Sequence, residues 1–292
     1  MEMVKTKMNR NHGNLTNEEH IDVVMNVKML AIDLDDTLLR DNNTISAYTR
    51  DVIVKAREKG IKVIIATGRM YETAKPVGDA LAMGDIPMIL FSGGSIQRIQ
   101  SGEFLYKEPI PLNLAKQLIQ IAKEKDWYMQ VYTSRGLWIR KAMWQSELYH
   151  KDSGADIHVV GDALDDLSEA PMKCLIIEKA ERLLSIGDEV KETFGETLGV
   201  VRSKPHYLEI VSPHVSKGQA VLEMGKRWGI AADEMVAFGN SENDISMLQA
   251  VKYSVAVANA DAEIKELAQF VCGSNQEDGV AHWISTYVLK EG

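Results

Sequence analysis

The stretch KMLAIDLDDTLL, residues 28–39, decides the fold. Its first half is a short apolar run that breaks off into acidic residues, the pattern of a buried parallel strand. Residues i and i+2 of a strand face the same way. Asp33 and Asp35 are therefore expected to point together into the crevice at the carboxyl ends of the strands, where open α/β sheets bind ligands. Two carboxylates so close repel, so either one is protonated or a cation sits between them. Both conditions suit phosphoryl transfer. A metal-bound carboxylate can attack phosphorus, and a protonated carboxyl can hand its proton to the leaving oxygen. A solvated acidic turn is the plain alternative.

Working outward from this strand, residues 46–59 read as a helix, with Ser46 as N-cap and Gly60 just past the end. IKVIIA (61–66) is a second buried strand, MYETAKPVGDALAMG (70–84) a helical segment and PMILFSGG (87–94) a third strand. Strand alternating with helix predicts a parallel sheet covered on both faces. The regularity breaks near Pro109 and Pro111. Between there and residue 212 lie a helix (113–126), strand-like WYMQVYT and LWIRK, the run MKCLIIE (172–178), a helix over 180–194, and the pair TLGVVRS and YLEIVS. From Ser216 the first pattern resumes with a helix that carries a capping-box-like Ser216–Gln219 pair. The short strands MVAFG, YSVAVA and FVCG follow, each with a helical segment after it. The fold class expected is α/β: a Rossmann-like parallel sheet core with helices on both faces, over 27–110 and 213–292. An α+β cap domain, 111–212, is inserted into it. Residues 1–26 are expected to be a mobile extension.

Composition narrows the function. The chain has 292 residues, 45% hydrophobic and 26% charged, with a formal net charge of -9. An acidic chain offers no electrostatic reason to bind nucleic acid or an anionic membrane. There is no apolar stretch of membrane-spanning length and no signal-peptide core at the start. Cys174 and Cys272 sit in apolar runs and read as two buried, reduced thiols, which fits a cytoplasmic protein.

Three further clusters fall at strand ends or at the helix that re-enters the core. Ala66-Thr67-Gly68-Arg69 places a hydroxyl and free main-chain N–H groups at a strand-to-helix turn, a site for phosphate oxygens. An ordinary Thr-Gly turn would look the same. Lys217 occupies the first turn of its helix, where a cation opposes the helix dipole; a functional lysine explains that placement, and an exposed one tolerates it. Gly239-Asn240-Ser241-Glu242-Asn243-Asp244 gathers oxygen donors of the kind a hard cation prefers, or is simply a polar loop.

In this order and spacing, DLDDTLL, IIATGR, VSKG and GNSENDISML resemble the four motifs of the haloacid dehalogenase-like phosphatases, in particular their Cof-like branch with a large inserted α/β cap. The resemblance covers nearly all of 28–292. It implies a phosphoric monoester hydrolase acting on a small phosphorylated metabolite: a sugar phosphate, a nucleotide-related phosphate, pyridoxal phosphate or a flavin-precursor phosphate. It makes Asp33 the nucleophile and Asp35 the general acid and base. Thr67, Gly68 and Lys217 would hold the transferring phosphoryl group, and Arg69 would lie near substrate. Mg2+ would be bound by Asp33, the main-chain carbonyl of Asp35, Asn240 and Asp244. A monomer or homodimer is expected.

Two positions depart from the family pattern. Asn240 stands where the family usually has a metal-binding Asp, so the site loses one negative charge; Asp244 or Glu242 would have to supply it. Ser92-Gly93-Gly94 replaces a common Asn-Gly pair. A phosphomutase on the same core and a non-catalytic binding protein are the alternatives. Arg202, Lys204 and His206, near the end of the cap, read as surface residues of a hairpin or as groups facing an anionic substrate.

Overall fold

The computed structural model describes residues 26–291. The expected mobile extension, 1–26, lies outside them apart from Asn26. In chain order the first elements are β1 (Met29–Ile32), α1 (Ala47–Glu58), β2 (Lys62–Ile65), α2 (Tyr71–Ala80), β3 (Pro87–Leu90), β4 (Ser95–Arg98) and β5 (Phe104–Lys107). Next come α3 (Leu112–Glu124), β6 (Met129–Thr133), β7 (Gly136–Ile139), α4 (Trp144–Ser153), β8 (Ile157–Val159), β9 (Lys173–Ile177), α5 (Ala180–Phe194), β10 (Gly199–Lys204) and β11 (Tyr207–Val211). The chain closes with α6 (Lys217–Trp228), β12 (Met235–Gly239), α7 (Ile245–Ala250), β13 (Tyr253–Val257), α8 (Ala262–Leu267), β14 (Phe270–Cys272) and α9 (Gly279–Trp283).

Five strands form a parallel sheet in the order β14-β13-β12-β1-β2. Its strands are apolar on both faces because helices cover both, as parallel sheets require. The chain runs from β1 to β2 on one side and later adds β12, β13 and β14 on the other. β1 and β12 therefore flank a topological switch point, and the loops after β1, β2 and β12 emerge side by side at one edge. Two helix starts follow from their caps. Ser46 Oγ accepts from the Thr49 N–H at 2.9 Å, and Ser216 Oγ accepts from the Gln219 N–H at 3.1 Å.

One expectation needs correcting. β3 is not a full member of the parallel sheet. It pairs antiparallel with β4, and β4 with β5, and meets the parallel sheet through a single bridge between Ala66 and Ile89. The hairpin partners β4 and β5 were not foreseen. SIQR and FLYK are four residues each and neither alternates cleanly between polar and apolar, so no period of two stands out.

A separate six-stranded sheet has the order β10-β11-β9-β6-β7-β8, antiparallel except for the β7–β8 pair. Its side chains divide by the period of two. Val131, Cys174, Ile176 and Ile210 pack with Leu118, Ile119, Leu183 and Ile186 of α3 and α5. The alternate positions, among them Tyr132, Lys173, Leu175, Tyr207 and Glu209, face away from those helices. Several of these line a crevice shared with the parallel sheet.

Candidate active site

The loop after β1 starts the site. β1 ends at Ile32, and the Asp33 N–H donates to Phe238 O at 3.1 Å, which ties the loop to β12. The chain then tightens through Leu34–Leu38, with Asp36 in the left-handed region at φ 59°. Asp33 and Asp35 both line one crevice, together with Gly68, Arg69, Ser241 and Asn243 from neighbouring loops and Tyr149, Asp152, Lys204 and Tyr207 from the second sheet and its helix.

Lys217 lies beneath Asp33, fully buried. Its Nζ donates to Asp33 Oδ1 at 2.6 Å and to Asp244 Oδ1 at 2.7 Å. Burial works against its charge, but Asp244 and Asp33 override burial and push its pKa up. Two buried carboxylates thus share one ammonium. The surplus negative charge shows at Asp33, whose pKa is raised to about 7, first by burial and then by Asp244, with Lys217 only partly opposing. A glycine makes this approach possible. A Cβ on Gly93, at φ 108°, would sit 2.3 Å from Ser216 O, so only glycine lets the 91–94 loop lie against the start of α6.

Asp244, expected as a supplementary metal ligand, has both oxygens committed. Oδ1 accepts from Lys217, and Oδ2 accepts from the main-chain N–H groups of Asn240 at 2.9 Å and Ser241 at 3.1 Å. The side chain holds Lys217 and shapes the loop that carries Asn240. The Asn240 side-chain oxygen accepts from Thr37 Oγ1 at 2.9 Å. Thr67 is buried, and its Oγ1 accepts from the Arg69 N–H at 3.2 Å.

Arg69 takes a more defined place than its expected nearness to substrate. Its Nη2 donates to Asp35 Oδ1 at 2.7 Å and its Nε to Asp35 Oδ2 at 3.0 Å, a two-pronged ion pair. Asn43 Oδ1 accepts a further bond from Nη2 at 2.7 Å. Burial alone would raise the Asp35 pKa, but the Arg69 guanidinium outweighs it and holds the carboxyl below the usual range.

Among the described residues no group of three or more Asp, Glu, His or Cys side chains converges to hold a metal. A cation at this edge would rest instead on a mixed oxygen set: the Asp33 carboxylate, the Asn240 amide carbonyl and a main-chain carbonyl. That set suits a hard divalent ion. The uncompensated charge of the Asp33–Lys217–Asp244 trio is a local reason for a cation to bind there.

The crevice wall contributed by the second sheet was largely unforeseen. Lys204 is not simply a surface residue of a hairpin. It lines the crevice, with Nζ 3.9 Å from Asp152 Oδ2 and over the Tyr207 ring at 5.6 Å. Tyr207 Oη donates to the same Asp152 carboxylate at 2.9 Å. Arg202 reaches Glu242 in the loop after β12, at 3.6 Å. Lys173 and Glu209 escaped notice inside the apolar runs MKCLIIE and YLEIVS. A single charge within a buried strand was the available signal, because such a charge must find a partner.

A family model described as haloacid dehalogenase-like hydrolase matches residues 30–284. The chain is 30% identical to the 5-amino-6-(5-phospho-D-ribitylamino)uracil phosphatase YwtE of Bacillus subtilis, over 88% of this chain and 97% of that one. It is 28% identical to the pyridoxal phosphate phosphatase YbhA of Escherichia coli, over 91% and 100%. The solved structure of a haloacid dehalogenase-like hydrolase from B. subtilis superimposes with a TM-score of 0.81 at 25% identity, covering 90% of this chain and all of that one.

Proposed function

The chain belongs to the haloacid dehalogenase-like hydrolases, as a phosphoric monoester hydrolase of the Cof type, and on that premise we propose that it cleaves a small phosphorylated metabolite through an aspartyl-phosphate on Asp33. The observation that carries this reading is the fully buried Lys217, which joins Asp33, 184 positions before it, to Asp244, 27 positions after it, beneath the crevice floor. A buried ammonium on a crevice carboxylate is placed to offset charge on a phosphoryl group attached there.

Lys217 holds Asp33 Oδ1 and leaves Oδ2 to attack phosphorus. The P–O bond to the leaving group breaks as the Asp33–phosphorus bond forms, and Asp35 gives its proton to the departing alkoxide oxygen. Asp35, now ionised, takes a proton from water, whose oxygen attacks phosphorus and frees Asp33 and inorganic phosphate. The bond to Arg69 favours this second, basic form of Asp35; proton donation requires Asp35 to leave the guanidinium fork. The Thr67 hydroxyl and main-chain N–H groups of its loop bind phosphoryl oxygens. Mg2+ held by Asp33, the Asp35 main-chain carbonyl and Asn240 would supply the second positive charge that the trio of buried charges lacks. Asp244 supports the metal from one step behind, through the Asn240 loop.

The crevice wall of Tyr149, Tyr207, Asp152 and Lys204 favours a compact substrate with polar groups, such as a sugar phosphate, a nucleotide-related phosphate or a phosphorylated flavin precursor. Of the two relatives named above, one is a phosphatase of 5-amino-6-(5-phospho-D-ribitylamino)uracil and the other of pyridoxal phosphate. No helix among the described residues is long and apolar enough to cross a membrane. The two cysteines are buried and unpaired, as suits a reducing compartment, and we propose the cytoplasm. Phosphate release from a panel of small monoesters, with Mg2+ and without any bisphosphate activator, tests the proposal. Turnover that vanishes on chelation supports it. No release from any monoester, or a strict need for a bisphosphate, contradicts it.

A further inference from the structure

Lys173 and Glu209 form an ion pair at 3.3 Å on the crevice-facing side of the second sheet, each almost fully buried. A buried ion pair is retained only where further hydrogen bonds complete it. Here the completing partners belong to the other side of the crevice. Lys173 Nζ donates to Gly68 O at 2.6 Å, in the loop after β2. Ser92 Oγ donates to Glu209 Oε2 at 2.5 Å, from the loop after β3. The Tyr132 ring beside Lys173, at 4.8 Å, completes the ammonium's surroundings.

We propose that Lys173 and Glu209 are positioning residues, a charged clasp by which the inserted sheet grips the phosphate-binding loop and sets it for the reaction. The proposal rests on the phosphatase reading above.

Three features of the chain support it. First, Gly68 sits between Thr67, assigned above to the phosphoryl oxygens, and Arg69, which holds Asp35. Fixing the Gly68 carbonyl therefore fixes both neighbours. Second, a Cβ on Gly68 would lie 2.7 Å from Glu209 Oε1, so the absence of a side chain there admits the carboxylate. Third, Ser92 adopts φ 56°, ψ 28°, a conformation serine visits rarely. It stands where the family commonly has Asn, and its hydroxyl is the proton donor that Glu209 accepts. Strain held at a residue that bonds across the crevice is expected of a functional contact.

The clasp differs from a substrate contact in what it controls. Parting the two sheets would break the Lys173–Gly68 and Ser92–Glu209 bonds together and expose the ion pair to water. Without substrate contact, its loss lowers kcat for every substrate alike and leaves their ranking unchanged. Ser92→Ala, Glu209→Gln and the double variant are compared with the parent on p-nitrophenyl phosphate and on a sugar phosphate. Small-angle X-ray scattering without substrate reports how far the two halves separate.

Each single variant is expected to lose about tenfold in kcat, the scale of one lost buried hydrogen bond. KM should hold steady, the radius of gyration should rise, and the double variant should be little worse than the worse single one. Losses that multiply, a ranking of substrates that changes with Glu209→Gln, or an unchanged radius of gyration would each overturn the clasp. Should Glu209→Gln fail to fold, Ser92→Ala with scattering still decides. A parent that releases no phosphate defeats the phosphatase reading itself, an outcome distinct from failure of the clasp.

Discussion

The two walls of the crevice are built in different ways. On the parallel-sheet side, Asp33, Gly68 and Asn240 sit on loops just past strand ends, and Lys217 opens a helix; the strands behind them are apolar apart from Lys62 at the start of β2. On the other side, Lys173, Tyr207 and Glu209 lie within strands, and they reach the crevice because alternate residues of a strand face one way. Loops past the ends of a buried sheet can carry fixed polar groups without disturbing its core. A strand face offers a row of positions that can be exchanged one at a time. The first arrangement suits a constant reaction; the second leaves positions such as Lys204 and Tyr207 to a variable choice of substrate, while Lys173 and Glu209 are engaged with the loops of Gly68 and Ser92.

If that division is right, variants on the two sides will differ in kind as well as in size. Asp33→Asn is expected to have the largest effect, a loss of at least about 10³-fold in kcat on every substrate, since an amide is a poor nucleophile. Circular dichroism should show an unchanged fold. A loss confined to some substrates would break the division.

Asp35→Asn comes next and sharpens it. Removing a general acid and base costs about 10²- to 10⁴-fold. An alkyl phosphate should lose more than p-nitrophenyl phosphate, whose leaving group needs little protonation. Equal losses on both would remove Asp35 from the first step.

On the metal set proposed above, Asn240→Asp adds a negative charge to the ligands. Coulomb attraction between a unit charge and a divalent ion is only partly offset by desolvating the new carboxylate. The Mg2+ concentration for half-maximal phosphate release should fall by about tenfold, with substrate ranking unchanged. A parent already saturated at micromolar Mg2+ would show that the Asp33–Lys217–Asp244 trio needs no further charge.

The smallest effect is expected on the other wall. Lys204→Ala removes a cation beside Asp152 and Tyr207 and should raise KM a few-fold, about 0.5–1 kcal/mol, for substrates whose leaving group is polyhydroxylated or carries its own negative charge, while sparing p-nitrophenyl phosphate. A uniform fall in kcat would assign Lys204 to the chemistry.

The same difference explains what could be read in the sequence. Asp33, Thr67 and Asn240 were legible as candidates because each closely follows the end of an apolar strand, and Lys217 because a cation opens a helix; the four signals come in a fixed order. Even Asp244 was legible as important, but not its partners: that its carboxylate turns inward to Lys217 and to two main-chain N–H groups depends on the turn of the loop. Arg69 was visible as a residue and its grip on Asp35 was not, because the bond spans 34 positions. β4 and β5 were missed because four-residue strands carry too little periodicity, and α4 because its faces are weakly divided. Lys173 and Glu209 were hidden by the apolar residues around them, which made each strand read as uniform core.

The central claim is that Asp33 itself carries the phosphoryl group. Mixing the enzyme with a 32P-labelled monoester in the presence of Mg2+, quenching in acid within one turnover and digesting the protein tests it directly. The account predicts label on the peptide that contains Asp33, none in Asp33→Asn, and accumulation in Asp35→Asn, whose second step is slowed. Phosphate released at full rate with no labelled protein, or label on a peptide without Asp33, would contradict it.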